Sequence, residues 1–472
     1  MTRLVAGVDS STQSCKVVVV DAATGTVVRE GRAKHPSGTE VDPGHWWTAL
    51  QEALAMAGGI ADCEAISIAG QQHGMVVLDD TGAVIRPALL WNDTRSAEAA
   101  ERIIGHFGAE WLLRETGSVP VASFTSTKLA WLADAEPANA TRVAAVMLPH
   151  DWLSWRLAGY GASDAPLGPD FGAAWTDRSD ASGTGYFNPV SNSYLAEMID
   201  FCLGAFASAR ITLPRVLGAT EVGGHVFGTR IAIAGGAGDN AGAAKGLGLA
   251  PGDAVVSIGT SGTVFAVSDS PGTSAIEIAG FADVDGHYLP LACTLNAAQV
   301  LDHFAIQLGV DFAEFEQLAL SAPVGSEGLM LLPFFQGERT PNLPNARASW
   351  HGITMNNFTP PNIARAAVEG ILLSLTNALQ LFRDTGRPVR SVKLIGGAAE
   401  NLAVRKIAAG LFGGRIELPG KAEYVALGAA RQAAEALGLD PNGWRVVSER
   451  VVAEEYPAEV LDRFRSLVEQ LT

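Results

Sequence analysis

The sequence predicts an α/β protein with two domains, and three observations carry this prediction. The chain has 472 residues, 48% of them hydrophobic, and a single hydrophobic core stops growing near about 250–300 residues. Its 52 glycines stand among alanine and valine without a collagen-like period, which is typical of tight turns and not of disorder. Similar strand–turn–strand patterns occur near the start of the chain and about half a chain later. We therefore expect one such unit in each domain.

The first unit covers residues 4–28, where the runs LVAGV and VVVV flank the polar turn DSSTQSCK. The second covers residues 254–268, where AVVSI and VFAVS flank GTSGT. Because the shared pattern is short, it leaves a duplication of one ancestral domain open. No low-complexity linker separates the units, so we place the domains at 1–247 and 248–472.

Helical patterns connect these strands. Residues 96–115 and 126–135 are predicted helices, whereas residues 159–192 are rich in Gly, Ser and Asp and are predicted to be irregular. A core helix is predicted over 361–382, since apolar residues recur there at helical spacing and Gly386 follows. An amphipathic pattern after residue 457 predicts a last helix docked on a domain.

Charge and composition exclude several functions. The chain carries 33 basic and 50 acidic residues, a net charge of −17, which disfavours binding to nucleic acid. The four cysteines form no CxxC pair, which predicts a reducing compartment and argues against a structural zinc site. No apolar run reaches the roughly 18 residues of a membrane span, and no signal-like segment precedes Asp9. The sequence thus predicts a cytoplasmic protein that does not cross a membrane.

The turn after the first strand is a candidate phosphate site. Asp9 ends the strand, and Ser11, Thr12 and Lys16 follow it. A turn of small residues can direct several backbone amides at a phosphate, and an acidic residue beside it suits Mg²⁺ held through water. An ordinary β-turn, in which Asp and Ser bond to their own backbone, explains the same pattern.

A second small-residue turn follows the strand AVVSI, where Gly259, Thr260 and Ser261 stand. Glycine there lets the backbone approach phosphate oxygens closely. A plain hairpin explains this turn too, but two such turns, one in each predicted domain, would form opposed clamps across a cleft.

The glycine-rich segment IAIAGGAGDNAG covers residues 231–242. It is not a dinucleotide fingerprint, because Ala241 stands in the place of the third glycine, and no Walker sequence can be read through Lys245. What remains is a buried strand and a turn that presents Asp239. This carboxylate could cap the following helix or accept a proton from a substrate hydroxyl.

Two further segments are candidates for binding small molecules. Gln72 and His73 stand between the apolar runs AISIA and MVVL, at a strand end suited to binding a polyol, although a lone histidine is more often a core residue. Trp91 follows in LWNDTR. In LIGGAAEN, residues 394–401, a strand, a glycine pair and a helix start could form the floor of a nucleoside pocket, or only a routine strand–helix joint.

Taken in order, these segments resemble the FGGY family of carbohydrate kinases over nearly the whole chain. The turn DSSTQSCK looks like the family's first phosphate loop and SIGTSGT like its second, GAGDNAGAAKGLG is similar to the segment with the catalytic aspartate, and LIGGAAEN with ALGAA resembles the adenosine-side signature. The segments FTSTKLAWL and PFFQGERTP also match. The resemblance implies an α/β fold of two actin-like (ribonuclease H-like) domains with an active-site cleft between them.

The implied reaction is transfer of the γ-phosphoryl group of MgATP to a primary sugar hydroxyl, with D-xylulose as the expected acceptor at its 5-hydroxyl. Asp239 would be the catalytic base, and Asp9 and Asp239 would hold Mg²⁺. The residues implied to bind the sugar are Gln72, His73, Trp91, Asp239 and Asn240. Those implied to bind ATP and its phosphates are Ser11, Thr12, Lys16, Gly259, Thr260, Ser261, Gly397, Ala398 and Asn401.

Some alternatives stay open. Gln72 stands where methionine is commoner in the family, which leaves other ketoses and pentitols as acceptors, whereas a glycerol-specific member would carry Arg-Glu at 72–73. A partner-driven actin-like ATPase is a second hypothesis, against which the polar segments at 71–75 and 91–93 argue. The expected partners are a small sugar and ATP, and the sequence leaves the assembly open between a monomer and a homodimer.

Overall fold

The computed structural model describes residues 2–271, 276–452 and 455–471. Its strands are β1 (Leu4–Ser10), β2 (Ser14–Asp21), β3 (Val27–Lys34), β4 (Glu40–Val41), β5 (Cys63–Gly70), β6 (Val76–Leu78), β7 (Ala88–Leu89), β8 (Ala145–Met147), β9 (Trp175–Asp177), β10 (Phe187–Asn188), β11 (Ser193–Tyr194), β12 (Arg215–Leu217), β13 (Val222–His225), β14 (Ala232–Ala234), β15 (Ala237–Gly238), β16 (Asp253–Ile258), β17 (Gly262–Ala266), β18 (Ala279–Ala282), β19 (Tyr288–Thr294), β20 (Met330–Leu332), β21 (Ser349–His351), β22 (Ser391–Ile395), β23 (Arg415–Pro419) and β24 (Ser448–Arg450). Its α-helices are α1 (Pro43–Met56), α2 (Ala97–Phe107), α3 (Ala109–Thr116), α4 (Thr125–Ala135), α5 (Pro137–Ala140), α6 (Pro149–Leu157), α7 (Arg178–Ala181), α8 (Ala196–Leu203), α9 (Ala207–Arg210), α10 (Asp239–Gly246), α11 (Ala298–Leu308), α12 (Phe312–Ser321), α13 (Pro360–Asp384), α14 (Leu402–Leu411), α15 (Tyr424–Ala436) and α16 (Ala458–Glu469).

Two sheets with the same strand order organise the chain. In the first sheet the order is β3-β2-β1-β5-β14, with β13 at its edge, and in the second it is β19-β17-β16-β22-β23, flanked by β18 and β24. In both, the first three strands are antiparallel and the next two run parallel to the central strand. This is the strand order of the actin-like fold, so the prediction of two such α/β domains is confirmed.

The valine-rich first hairpin is buried on both faces. Val5 and Val18 lie in one apolar cluster with α15, whereas Val8 and Val17 lie in another with α1. A strand covered on both faces reads as a continuous hydrophobic run, which is why this hairpin lacks a polar face. Helix α15 thus covers the first sheet although it lies between β23 and β24 of the second sheet in the chain. The boundary at residue 247 stays a prediction.

Most predicted helices are present, with one correction. The predicted helix over 96–115 is wrong as a single element, because Gly108 adopts a φ of 78° and divides it into α2 and α3; that φ suits glycine but not other residues. Helix α13 forms the centre of the second domain's core, as predicted. The last helix, α16, docks through Phe464 and Val468. None of the helices within the described ranges is long and apolar enough to span a membrane.

Candidate active site

The candidate site lies where strands of the first sheet end. Ser10 of β1 and Gly238 of β15 both pair with Gly70 of β5 in parallel register. Because the carboxyl ends of parallel strands meet at one edge of a sheet, the segments that follow them lie together there. This edge therefore brings the turn after Asp9, the segment starting at Gln71 and the helix start at Asp239 to one place.

A cavity of about 250 Å³ opens at this edge, lined by residues from both domains. It is lined by five candidate sugar-binding residues (Gln72, His73, Trp91, Asp239 and Asn240), by two candidate phosphate-binding residues (Thr12 and Ser261), and by Ser123, Thr263, Phe281, Leu291, Cys293 and Arg339. The cavity is small and most of its lining residues carry polar side chains, which fits a small polyhydroxy ligand. One residue of each predicted phosphate turn, Thr12 of the first and Ser261 of the second, lines this same cavity.

Asp239 is the first residue of α10, and its carboxylate accepts a hydrogen bond from the backbone N–H of Asn240 at 2.8 Å. Burial of the carboxyl raises its pKa to about 7, and the nearby Asp9 carboxylate contributes to this rise. A carboxylate with such a pKa binds a proton far more readily than an ordinary one at neutral pH. The helix-capping alternative has little support, since Gly238 occupies the N-cap position.

Asp9 lies almost completely buried at the end of β1. The Ser11 hydroxyl donates to its carboxylate, and Lys16 Nζ lies 3.3 Å from it. Lys16 also donates to Glu423 at 2.6 Å, so its ammonium joins the first hairpin to the segment before α15. Burial raises the pKa of Asp9 although Lys16 and Ser11 oppose this effect.

His73 has a left-handed backbone, with a φ of 68°. Its Nδ1 lies 2.5 Å from the Gly183 carbonyl oxygen, and burial lowers its pKa to about 3. The ring is therefore neutral with its proton on Nδ1, which leaves Nε2 as an acceptor. Phe124 and Phe281 pack on the ring with centroid distances of 4.9 and 5.5 Å.

Gln72 is held from two directions. Its Nε2 donates to the Ser179 carbonyl at 3.3 Å, and its Oε1 accepts from Asn240 Nδ2 at 3.3 Å. The Ser179 hydroxyl also accepts from the N–H of Gly238. Helix α7 and its loop, inside the region predicted to be irregular, thus support both the Gln72–His73 segment and the approach to Asp239.

A second cavity, of about 580 Å³, lies in the C-terminal domain. Gly259 and Thr260 line it on one side and Gly397, Ala398 and Asn401 on another, so five of the candidate ATP-binding residues share one space. Its remaining lining comes from Ile258 and Glu400, which stand in the two predicted segments, and from residues of α11 and α12 that sequence reasoning missed: Ala298, Leu301, Asp302, Phe312, Ala313 and Glu316. The Asn401 side chain accepts from the N–H of Val404 and caps α14, so only its other atoms are free for a ligand.

Sequence reasoning also missed Arg339, Phe281 and Ser123 in the smaller cavity. Arg339 lies in PFFQGERTP and Ser123 just before FTSTKLAWL, two segments that matched the family but suggested no role of their own. Phe281 lies on β18 of the second sheet, and nothing in its local sequence indicates that it faces the first domain.

A buried charge cluster lies behind the smaller cavity. His150 is fully buried, and its Nε2 lies 3.2 to 3.4 Å from carboxylate oxygens of Asp151, Asp177 and Asp180. Burial alone would lower the pKa of His150, but these carboxylates raise it to about 9. The imidazole is therefore charged at neutral pH and offsets part of the negative charge of its neighbours.

We expect this cluster to make stability depend on pH. The folded pKa of His150 lies above its unfolded value of about 6.5, so its contribution is complete below pH ~6.5 and is lost as the pH rises through about 9. Urea unfolding at pH 6.5 and pH 9 should give a stability difference between wild type and His150→Gln that shrinks at pH 9. The exposed His45→Gln should show no such change, and a difference that is constant with pH would contradict a charged His150.

Three features define a two-domain phosphotransferase for a small polyhydroxy acceptor. They are a sugar-sized cavity with a carboxylate of raised pKa, a larger nucleotide-sized pocket, and two small-residue turns between these two spaces. Residues 4–246 match the N-terminal domain, and residues 254–437 the C-terminal domain, of the FGGY family of carbohydrate kinases. The chain belongs to this family. It is accordingly a carbohydrate kinase, and ATP and a sugar are its substrates.

Similar proteins agree with this assignment. A xylulose kinase of Streptomyces rubiginosus is 44% identical over 486 aligned positions, which cover 98% of this chain and 96% of that protein. The crystal structure of a xylulose kinase from Bifidobacterium adolescentis matches with a TM-score of 0.93 at 44% identity and covers 99% of both chains. A glycerol kinase from Plasmodium falciparum, solved with ADP, matches with a TM-score of 0.86 at 20% identity over 100% of this chain and 98% of that one, which shows the shared fold alone.

Proposed function

We propose that this kinase transfers the γ-phosphoryl group of ATP to the 5-hydroxyl of D-xylulose and so forms D-xylulose 5-phosphate and ADP. One observation carries the proposal: Gln72, His73 and Asp239 line one small cavity together with residues of both phosphate turns. The two 44% identical relatives, both named xylulose kinases, support the choice of sugar.

In the proposed reaction Asp239 is the base. The sugar oxygen bonds to the γ-phosphorus, the bond from that phosphorus to the β–γ bridging oxygen breaks, and the hydroxyl proton moves to the Asp239 carboxylate. The raised pKa of this carboxyl, about 7, supports the role because it brings the carboxylate closer in basicity to the group that it must deprotonate. The rest of the catalysis is positioning and neutralisation of charge.

We assign the sugar hydroxyls to Gln72, His73, Asn240 and Trp91. The neutral His73 ring can accept a hydrogen bond from a sugar hydroxyl at Nε2, because the Gly183 carbonyl fixes the other ring nitrogen as a donor. Trp91 is 45% exposed, and its Nε1 donates to Thr12 Oγ1 at 2.9 Å, so the indole closes the cavity beside the first phosphate turn.

We assign the phosphates of ATP to backbone amides and hydroxyls of the two turns, at Ser11 and Thr12 and at 259–261. Lys16 contributes to this site by holding Asp9. The nucleoside would lie against Gly397, Ala398 and Asn401. Gly396 supports this geometry, since a Cβ there would lie 2.5 Å from the Ile258 carbonyl oxygen, and only glycine lets the two segments approach so closely.

The residues present fit Mg²⁺. Asp9 and Asp239 offer hard carboxylate oxygens, and the electrostatic effect of Asp9 on Asp239 shows that the two carboxylates repel one another. A cation between them would relieve this repulsion. When bound with ATP, Mg²⁺ would neutralise charge on the phosphates, and Asp9 and Asp239 would hold it.

We also propose a cytoplasmic location. The four cysteines are free, and Cys15, Cys63 and Cys202 are buried, which suits a reducing compartment. The homodimer stays a prediction of the sequence.

The test is ADP release with MgATP over a panel of acceptors: D-xylulose, D-ribulose, L-ribulose, L-xylulose, D-fructose, xylitol, D-arabinitol, glycerol, gluconate and no sugar. We expect D-xylulose to give the highest kcat/KM by at least about tenfold over its nearest competitor, the scale of one lost contact in a binding pocket. A different preferred sugar would contradict the assignment of residues 71–75. Equal rates with and without sugar would favour a partner-driven ATPase.

A further inference from the structure

Among the described residues, Arg339 is the single cationic side chain that lines the smaller cavity. Its guanidinium forms no hydrogen bond or ion pair with any described residue, although its backbone N–H donates to Glu338. An arginine keeps its charge at all relevant pH values. The cavity therefore contains a positive charge that is not paired directly with any described side chain.

The other nearby cations are already engaged. Lys16 donates to Glu423 at 2.6 Å and lies 3.3 Å from Asp9. Lys128 is fully buried, and its Nζ donates to the carbonyl oxygens of His73 and Ser123 at 2.8 and 2.6 Å. Arg339 differs from both because its guanidinium lines the cavity and is not engaged by any described residue, so a ligand in the cavity can bind it.

The backbone that carries Arg339 is firmly held. The buried carboxylate of Glu338 accepts from the N–H groups of Leu295 and Arg339 at 2.7 and 2.8 Å, and from Asn296 Nδ2 at 3.1 Å. Leu295 directly follows β19, which pairs with β17 next to the second phosphate turn. Arg339 is thus fixed to the same part of the C-terminal domain as that turn, while it faces residues of the N-terminal domain.

The charge around Arg339 indicates what it binds. A neutral sugar needs hydrogen-bond partners but no counterion, and Gln72, His73 and Asn240 already offer them. A phosphoryl group that enters the cavity is an anion and meets the carboxylate of Asp239 and, close by, that of Asp9. A guanidinium binds phosphoryl oxygens well because its donors match them in pairs.

We propose that Arg339 binds the transferred phosphoryl group, both as it crosses to the sugar and on the sugar phosphate product, and thereby distinguishes phosphorylated from free sugar. This inference rests on the function proposed above. Arg339 takes part in no bond change: the proton still goes to Asp239, and the guanidinium only neutralises the charge on the phosphoryl oxygens.

The test compares wild type, Arg339→Ala and Arg339→Lys by calorimetric binding of D-xylulose and of D-xylulose 5-phosphate, and by kcat. Arg347→Ala is the matched control, since it removes the same charge from an exposed arginine nearby whose guanidinium donates, among the described residues, to two carbonyls of its own loop. We expect Arg339→Ala to weaken binding of the sugar phosphate about 10- to 100-fold and to lower kcat about 10²–10³-fold, while sugar affinity changes less than about twofold. Arg339→Lys should lie between, because lysine keeps the charge but not the paired donors.

Equal losses of sugar and sugar phosphate affinity in Arg339→Ala would overturn the inference and make Arg339 a sugar-binding residue. Unchanged binding and kcat would overturn it as well. Both results leave the proposed function intact, because wild type would still bind and phosphorylate the sugar. If wild type binds neither compound, the proposed function itself fails, and the inference fails with it.

Discussion

Asp239→Asn should lower kcat by about 10²–10⁴-fold, the usual contribution of a general base, with little change in ATP affinity or Tm. Asparagine keeps the shape of the side chain but cannot accept the sugar's proton. The proposed nucleotide pocket lies elsewhere, against Gly259 and Gly397, and Asp9 still offers a carboxylate to Mg²⁺, so ATP binding should survive. Steady-state kinetics with MgATP and D-xylulose, together with ATP binding and thermal melting, measure all three quantities.

Asp134→Asn provides the control for this substitution. Asp134 lies on the exposed face of α4, where its side chain is 61% exposed and pairs with Arg102, so its loss should change neither kcat nor Tm appreciably. Full activity in Asp239→Asn would refute the assignment of the base. A large loss of Tm would instead mean that Asp239 mainly supports the fold.

Gly246→Ala should destabilise the protein by at least about 3 kcal/mol, the upper end of ordinary overpacking, and should abolish activity. Helices α10 and α15 cross in close contact. A Cβ on Gly246 would lie 1.9 Å from the Tyr424 carbonyl oxygen, and one on Gly428 would lie 1.9 Å from that of Gly242. These obstacles are backbone atoms, so no side-chain rotation relieves them, and α10 must move away together with Asp239.

Urea unfolding and kcat report this effect, with Gly105→Ala as the control. Gly105 lies within α2, exposed, and a Cβ there would meet no atom within 4 Å. That substitution should stabilise the protein by about 0.5–1 kcal/mol, because alanine loses less backbone entropy than glycine in a helix. Wild-type stability and activity in Gly246→Ala would show that the two helices are not in such close contact.

The features that the sequence could predict are local ones. A strand that ends in small polar residues is visible as a pattern, so the turn after Asp9, the turn at 259–261 and the start of α10 were predicted where the structure has them. The common edge of parallel strands then brings the first and the last of these together. The repeated strand unit likewise predicted two domains, although only the pairing order shows that both sheets share one topology.

What escaped prediction depends on contacts between segments far apart in the chain. The Gly183 carbonyl that holds His73 is 110 residues away from it, and it lies in a region whose composition indicates only irregular structure. Arg339 reaches the cavity because buried Glu338 anchors its loop to the end of β19. Neither relationship leaves a periodic or compositional trace in the sequence.

Individual side chains also differ in ways that a pattern does not reveal. Lys16 and Arg339 are both cations in segments that match the family. The Lys16 ammonium bridges Asp9 and Glu423, whereas the Arg339 guanidinium pairs with none of the described residues. The break at Gly108 was equally hidden, since helix-forming residues surround it and only its positive φ ends α2.

The most direct test of the proposed reaction is the identity of its product. After complete conversion of D-xylulose with MgATP, ¹H–³¹P correlation spectra identify the carbon whose protons couple to phosphorus. Our account predicts coupling to the C5 methylene protons and one ADP for each sugar phosphate, with no excess of inorganic phosphate. Phosphorus on another carbon would contradict the proposed pose, and inorganic phosphate with unmodified sugar would contradict phosphoryl transfer to the sugar altogether.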